Sequence, residues 1–136
     1  MVKISIRYEG SLHCSLTHGP SGTQIATDAP KDNHGKGEAF SPSDMVAGAL
    51  GACMMTLMGI VAQRHSIQLE GSEVEVLKEM IQEPARRIGK LTVNFKMPKG
   101  IELKQRALLE RAAMTCPVHQ SLHPDIQIPV QFDYSL

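Results

Sequence analysis

The stretch from Met45 to Ala62 constrains the fold of this chain more than any other. It is 18 residues long, carries no charge, and has Thr56 as its one polar side chain. That reaches the lower edge of a membrane span. Four alanines and three glycines dilute its hydrophobicity and weaken insertion, and no second such run accompanies it. The other way to accommodate a helix that is apolar all round is to bury it at the centre of a fold. A chain of 136 residues makes a single domain, here spanning 1–136, and folding at that size buries roughly two-thirds of the extended-chain surface. Enclosing the helix on every side is difficult for one such chain, which predicts a partner subunit against one face. Ser41-Pro42-Ser43-Asp44 marks the helix start. Ser41 suits the N-cap, Pro42 the first turn, and Asp44 the third position of a capping box.

Short strands flank this helix. Ile4, Ile6 and Tyr8 alternate with Ser5, Arg7 and Glu9, the period-2 pattern of a half-buried strand. Gly10 and Gly19-Pro20-Ser21-Gly22 break residues 2–27 into a three-strand meander. Residues 28–40 form a polar loop of a length that is often functional. Downstream, Val74 and Val76 alternate with Glu73, Glu75 and Glu79, and Leu91, Val93, Phe95 and Met97 alternate with polar residues. Glu83-Pro84-Ala85-Arg86-Arg87 joins them as a hairpin loop. Residues 101–114 read as an amphipathic helix with Glu102, Arg106 and Glu110 as a charge ladder on its wet side. A helical turn at 117–122 and a last strand at 126–134 follow. The order β-β-β-α-β-β-α-β implies a two-layer α+β fold.

Composition excludes several function classes. Lys and Arg number 14 against 14 Asp and Glu, so no cationic surplus exists for nucleic acid or an anionic membrane surface. With three Phe, two Tyr and no Trp, base-stacking platforms are excluded as well. The N-terminus MVKISIRYEG lacks the apolar core of a signal peptide. The expected location is the reducing cytoplasm, where the three cysteines are either inert core residues or chemically used ones.

No phosphate loop, dinucleotide fingerprint, GxSxG elbow, HExxH or CxxC is present, and no cofactor is implied. Cysteine and histidine remain as the chemistry-bearing residues. Cys53 lies mid-helix among Gly48, Ala49, Gly51 and Ala52, which leave room around its sulfur. It reads either as a small core residue or as a nucleophile whose thiolate needs a nearby cation. In Thr115-Cys116-Pro117-Val118-His119, Pro117 places Cys116 at an N-cap, where free N–H groups favour a thiolate. His119 lies one turn away. Cys116, His119 and His123, and separately His13, Cys14 and His18, have spacings compatible with metal ligation, though neither is a specific zinc motif. Supporting candidates are Glu38 as a loop carboxylate and Arg7, Arg86 and Arg87 as cations. Asp44 reads as a helix-capping acid.

Ser41-Pro42-Ser43-Asp44-Met45-Val46, then Ala49-Leu50-Gly51-Ala52-Cys53, and some 60 residues later Cys116-Pro117-Val118-His119 together resemble the OsmC/Ohr family, in its general OsmC-like branch. The resemblance implies an intertwined homodimer with active sites at the subunit interface. It implies a cysteine-dependent peroxidase that reduces organic hydroperoxides in oxidative-stress defence. Cys53 would be the peroxidatic residue and Cys116 the resolving one, with an external dithiol, a lipoyl group in characterised members, as reductant. No metal or cofactor is implied. Where the hydroperoxide-reductase branches carry Glu directly after the helix-start proline, this chain has Ser43. Where they carry an Arg in a turn corresponding to residues 10–15, it has none. The alternative is therefore a dimeric small-ligand-binding protein with weak or no peroxidase activity. Met54, Met55, Leu57 and Met58 would line a pocket suited to an apolar hydroperoxide. Cys14 reads as structural.

Overall fold

A computed structural model describes residues 1–136. Its elements run β1 (Ile4–Gly10), β2 (His13–His18), β3 (Gln24–Asp28), α1 (Pro42–Arg64), β4 (Glu73–Ile81), β5 (Arg87–Lys96), α2 (Leu103–Met114), α3 (Pro117–Ser121) and β6 (Val130–Asp133). They form an α+β structure with two three-stranded sheets. The chain divides into two compact units, Met1–Val46 and Ala47–Leu136.

In the first unit β1, β2 and β3 form an antiparallel meander. Ile6 pairs with Leu16 and Leu16 with Ile25, while Ser5 pairs with Thr17 and Thr17 with Gln24. Because side chains alternate across a strand, one face is apolar and the other polar. The expected half-burial of β1 does not occur, since Ile4, Ile6 and Tyr8 are 56%, 61% and 64% exposed. The apolar face exists, and its β1 members are open to solvent. The polar loop contains one 3₁₀ turn, Lys31–Asn33. The capping box at the start of α1 forms as read. The Ser41 N–H donates to Asp44 Oδ2 at 2.8 Å, and the Asp44 N–H donates to Ser41 Oγ at 3.1 Å.

The second unit holds the hydrophobic core. One stripe of α1 (Ala47, Leu50, Gly51, Met54, Met58 and Ala62) is buried. It packs in one cluster with Leu91, Val93, Phe95 and Met97 from β5 and its end, and with Leu109 and Ala113 of α2. Gly51 permits the close approach of helix to sheet, because a Cβ there would lie 2.9 Å from Val76 Cγ2. β5 is the central strand, antiparallel to β4 and parallel to β6. Phe95 and Phe132, paired across β5 and β6, stack with ring centroids 4.8 Å apart.

As the sequence predicts, this chain alone does not enclose α1 on every side. The helix is long and apolar enough to cross a membrane by length and composition, and 33% of its apolar window is buried. The sequence pattern is amended at two places. The last strand is Val130–Asp133 and not 126–134, because Pro129 has no N–H to offer a ladder. Upstream of it the pairing reduces to an isolated bridge between Lys90 and Gln127. Finally, Arg106 and Glu110 are not a solvated ladder. The Arg106 guanidinium lies 4.2 Å over the Tyr134 ring, and the Tyr134 hydroxyl donates to Glu110 Oε1 at 2.9 Å. Burial, then the Glu110 carboxylate, pushes the Tyr134 phenol well above its ordinary pKa.

Candidate active site

Two sulfurs meet in the second unit. Cys53 sits on the flank of the buried α1 stripe, half-buried and packed against the core. Cys116 comes from the break between α2 and α3. α2 ends at Met114 with Thr115 as its C-cap, Pro117 starts α3, and Cys116 between them is extended. Cys116 is fully buried. Its backbone is held on both sides, with its N–H donating to Ala113 O and its carbonyl accepting from Gln120 N–H. Its Sγ caps α3 by accepting from the His119 N–H at 3.2 Å. The Cys116 thiol lies close enough to Cys53 for the two sulfurs to affect each other's ionisation.

The expected thiolate at Cys116 is corrected by this environment. Desolvation pushes its pKa up, and the neighbouring Cys53 pushes it further the same way. The N–H groups of His119 and Val118 pull it down and do not prevail. Cys116 is therefore a buried thiol beside Cys53. A half-buried sulfur beside a buried thiol can be oxidised from solvent and then form a disulfide with its neighbour without exposing the second sulfur. All three cysteines are free.

The other expected residues are placed as follows. His119 contributes its backbone N–H to the Cys116 sulfur. Arg86 is exposed in the β4–β5 connection, and Arg87 opens β5 with its guanidinium on the carbonyl of Ile88 at 3.5 Å. In the first unit, Arg7 lies with Ser5, Glu9 and Ser15 on the polar face of the β1–β3 sheet. Glu38 has an exposed side chain, and its backbone N–H donates to Asp28 Oδ2 at 2.9 Å. Asp44 caps α1. Met54 and Met58 are fully buried in the core and cannot line a pocket, which leaves Met55 and Leu57 half-buried.

No group of three or more His, Cys, Asp or Glu is arranged to hold a metal. The His123 ring lies 3.7 Å from Asp125. His13 and Cys14 are consecutive on β2 and so face opposite sides of the sheet. One polar residue escaped the sequence reading. Asp28, 6% exposed at the end of β3, accepts from the His13 ring at 2.5 Å. Its only signal in the sequence is an acid closing a strand just before Ala29-Pro30.

Residues 35–131 match the model of a protein family described as OsmC, OsmC-like protein. Among solved structures, the chain is similar to a Psychrobacter arcticus 273-4 protein described as belonging to the osmotic stress induced and detoxification response. Identity is 39%, over 97% of this chain and 96% of that one, with a TM-score of 0.91. It shares its fold with an organic hydroperoxide resistance protein OsmC from Legionella pneumophila, at 14% identity over 98% and 96% of the two chains and a TM-score of 0.77. It also shares it with the organic hydroperoxide resistance protein OhrB of Bacillus subtilis, at 18% identity over 98% of each chain and a TM-score of 0.69. No curated protein sequence matches the chain.

Proposed function

The chain belongs to the OsmC-like protein family, and from that membership we propose that it is a cysteine-dependent peroxidase reducing organic hydroperoxides in the cytoplasm. The observation that carries this reading is the proximity of a half-buried Cys53 to a buried Cys116 thiol. Names given to two proteins of the same fold, both organic hydroperoxide resistance proteins, support the substrate class.

The chemistry divides between the two sulfurs. The Cys53 thiolate attacks the terminal oxygen of ROOH. The O–O bond breaks, RO⁻ leaves and takes a proton to become ROH, and Cys53 becomes a sulfenic acid. The Cys116 thiol lies beside that sulfur. It condenses with the sulfenic acid, forming the S–S bond and releasing water. An external dithiol then reduces the disulfide by exchange, becoming a cyclic disulfide itself and restoring both thiols. Burial of Cys116 keeps it protonated while Cys53 reacts, so the order of events follows from the difference in environment.

The protein works as a homodimer in this reading. Along α1, Gly48, Ala49, Ala52, Thr56 and Ile60 are exposed although nearly all are apolar or small. In the first unit, Ile4, Ile6, Tyr8 and Ile25 are exposed on one sheet face. Exposed apolar surface of this kind is what a partner ordinarily covers. A second copy covering them, with the sulfur pair at the interface, accounts for both.

Steady-state turnover tests the function. Purified protein with cumene hydroperoxide and dihydrolipoamide should turn over at a kcat above ~1 s⁻¹. Cys53→Ser should abolish consumption. Unchanged consumption in Cys53→Ser would overturn the reading, and no turnover by the unaltered protein would favour a ligand-binding role.

A further inference from the structure

Asp28 joins three segments of the first unit. One carboxylate oxygen accepts from the His13 ring at 2.5 Å, and the other accepts from the Glu38 N–H at 2.9 Å. His13 begins β2 and is the cross-strand partner of Asp28, so the sheet register holds the two side chains together. The far nitrogen of the His13 ring, Nε2, lies 3.7 Å from Glu9 Oε2 on β1. The imidazole thus sits between two carboxylates, one of them buried.

Around this pair the backbone of residues 29–40 folds back on itself. The Asp28 N–H donates to Phe40 O, the Ala29 N–H to Leu12 O, and the Gly37 N–H to Ala29 O. The return is so close that a Cβ on Gly35 would fall 1.7 Å from the Ala29 carbonyl oxygen. The β1–β2 turn it rests against has left-handed backbone at both Ser11 (φ 51°) and Leu12 (φ 60°), a conformation L side chains avoid. The Ala29 N–H on the Leu12 carbonyl fastens that turn to the same loop.

We propose that charged His13 holds the Asp28 carboxylate in place to accept the Glu38 N–H, a proton-operated clasp that keeps the 29–40 loop fastened when His13 is charged and loosens it when His13 loses its proton. The inference is independent of the peroxide chemistry. The groups facing His13 are Asp28 from β3, Glu9 from β1 and Glu38 from the loop, all acidic. Lys36 from the loop faces Asp28. The Asp28 hydrogen bond foremost holds His13 above its ordinary value, and the His13 contact foremost holds Asp28 below its own. A raised histidine contributes stability that is complete at low pH and is lost as pH rises through the folded value. A depressed aspartate contributes stability that is lost as pH falls through its folded value. The clasp is therefore closed in the window between the two and opens on the alkaline side.

Trypsin cleavage after Lys36, in the loop, reads the clasp directly when divided by cleavage after Arg86, in the exposed β4–β5 connection. In the unaltered protein the ratio should rise on the order of tenfold between about pH 6 and about pH 9, the loss of one charge-assisted hydrogen bond. His13→Gln should give a ratio without that step. Glu9→Gln should fold normally and move the midpoint to lower pH. A flat ratio in the unaltered protein, or a step that persists in His13→Gln, would overturn the proposal.

Discussion

The two sheets share a sequence pattern and differ in what becomes of it. β5 alternates apolar and polar residues, and its apolar members Leu91, Val93 and Phe95 are wholly buried beneath α1 and α2. β1 alternates as regularly, yet Ile4, Ile6 and Tyr8 are open to solvent. Alternation fixes which face of a strand is apolar and says nothing of what covers it. For β5 the cover is this chain's own helices. For β1 the proposed cover is a second copy. Cysteine placement follows the same division. Cys53 and Cys116 are brought together inside the closed unit, whereas Cys14 lies on the open sheet, paired across strands with Tyr8 and Thr27.

Substitutions should sharpen that contrast. Leu91→Ala leaves a cavity in the closed core and should lower stability by about 3 kcal/mol in urea unfolding. Gly51→Leu, forcing a side chain against Val76, should cost about 2 kcal/mol by the same measurement. Asp44→Ala removes half of the capping box and should cost about 1 kcal/mol. Replacing Ser11-Leu12 by Asn-Gly, which accept left-handed backbone, should raise the melting temperature by the equivalent of about 1 kcal/mol. Ile6→Ser should have the smallest effect on the subunit itself, below about 0.5 kcal/mol. It should nevertheless shift the molecular mass in solution toward that of one chain. A large loss of subunit stability in Ile6→Ser, with mass unchanged, would break the comparison.

Much of this was legible in the residues. Ser41, Pro42 and Asp44 encode the start of α1 locally, and reciprocal hydrogen bonds form there as read. Pro117 likewise encodes the cap that holds the Cys116 sulfur. The misreadings share a cause, because each depended on contacts far along the chain. The N-cap position of Cys116 favours a thiolate, but its burial by distant segments outweighs that. Met54 and Met58 read as pocket residues until the register of α1 on β5 places them in the core. Arg106 and Glu110 show helical charge spacing, and Tyr134, 24 residues beyond Glu110, claims both. Asp28 acquires its meaning from His13, 15 residues earlier, through strand register.

The pairing of Cys53 with Cys116 is the central claim, and a thiol count tests it most directly. Reduced protein is treated with about one equivalent of cumene hydroperoxide, and its free thiols and intact mass are followed beside Cys53→Ser and Cys116→Ser. The account predicts rapid loss of two thiols and a Cys53–Cys116 disulfide on digestion. Cys116→Ser should stop at an oxidised Cys53, and Cys53→Ser should remain reduced. Slow oxidation shared equally with Cys14, or none at all, would contradict it.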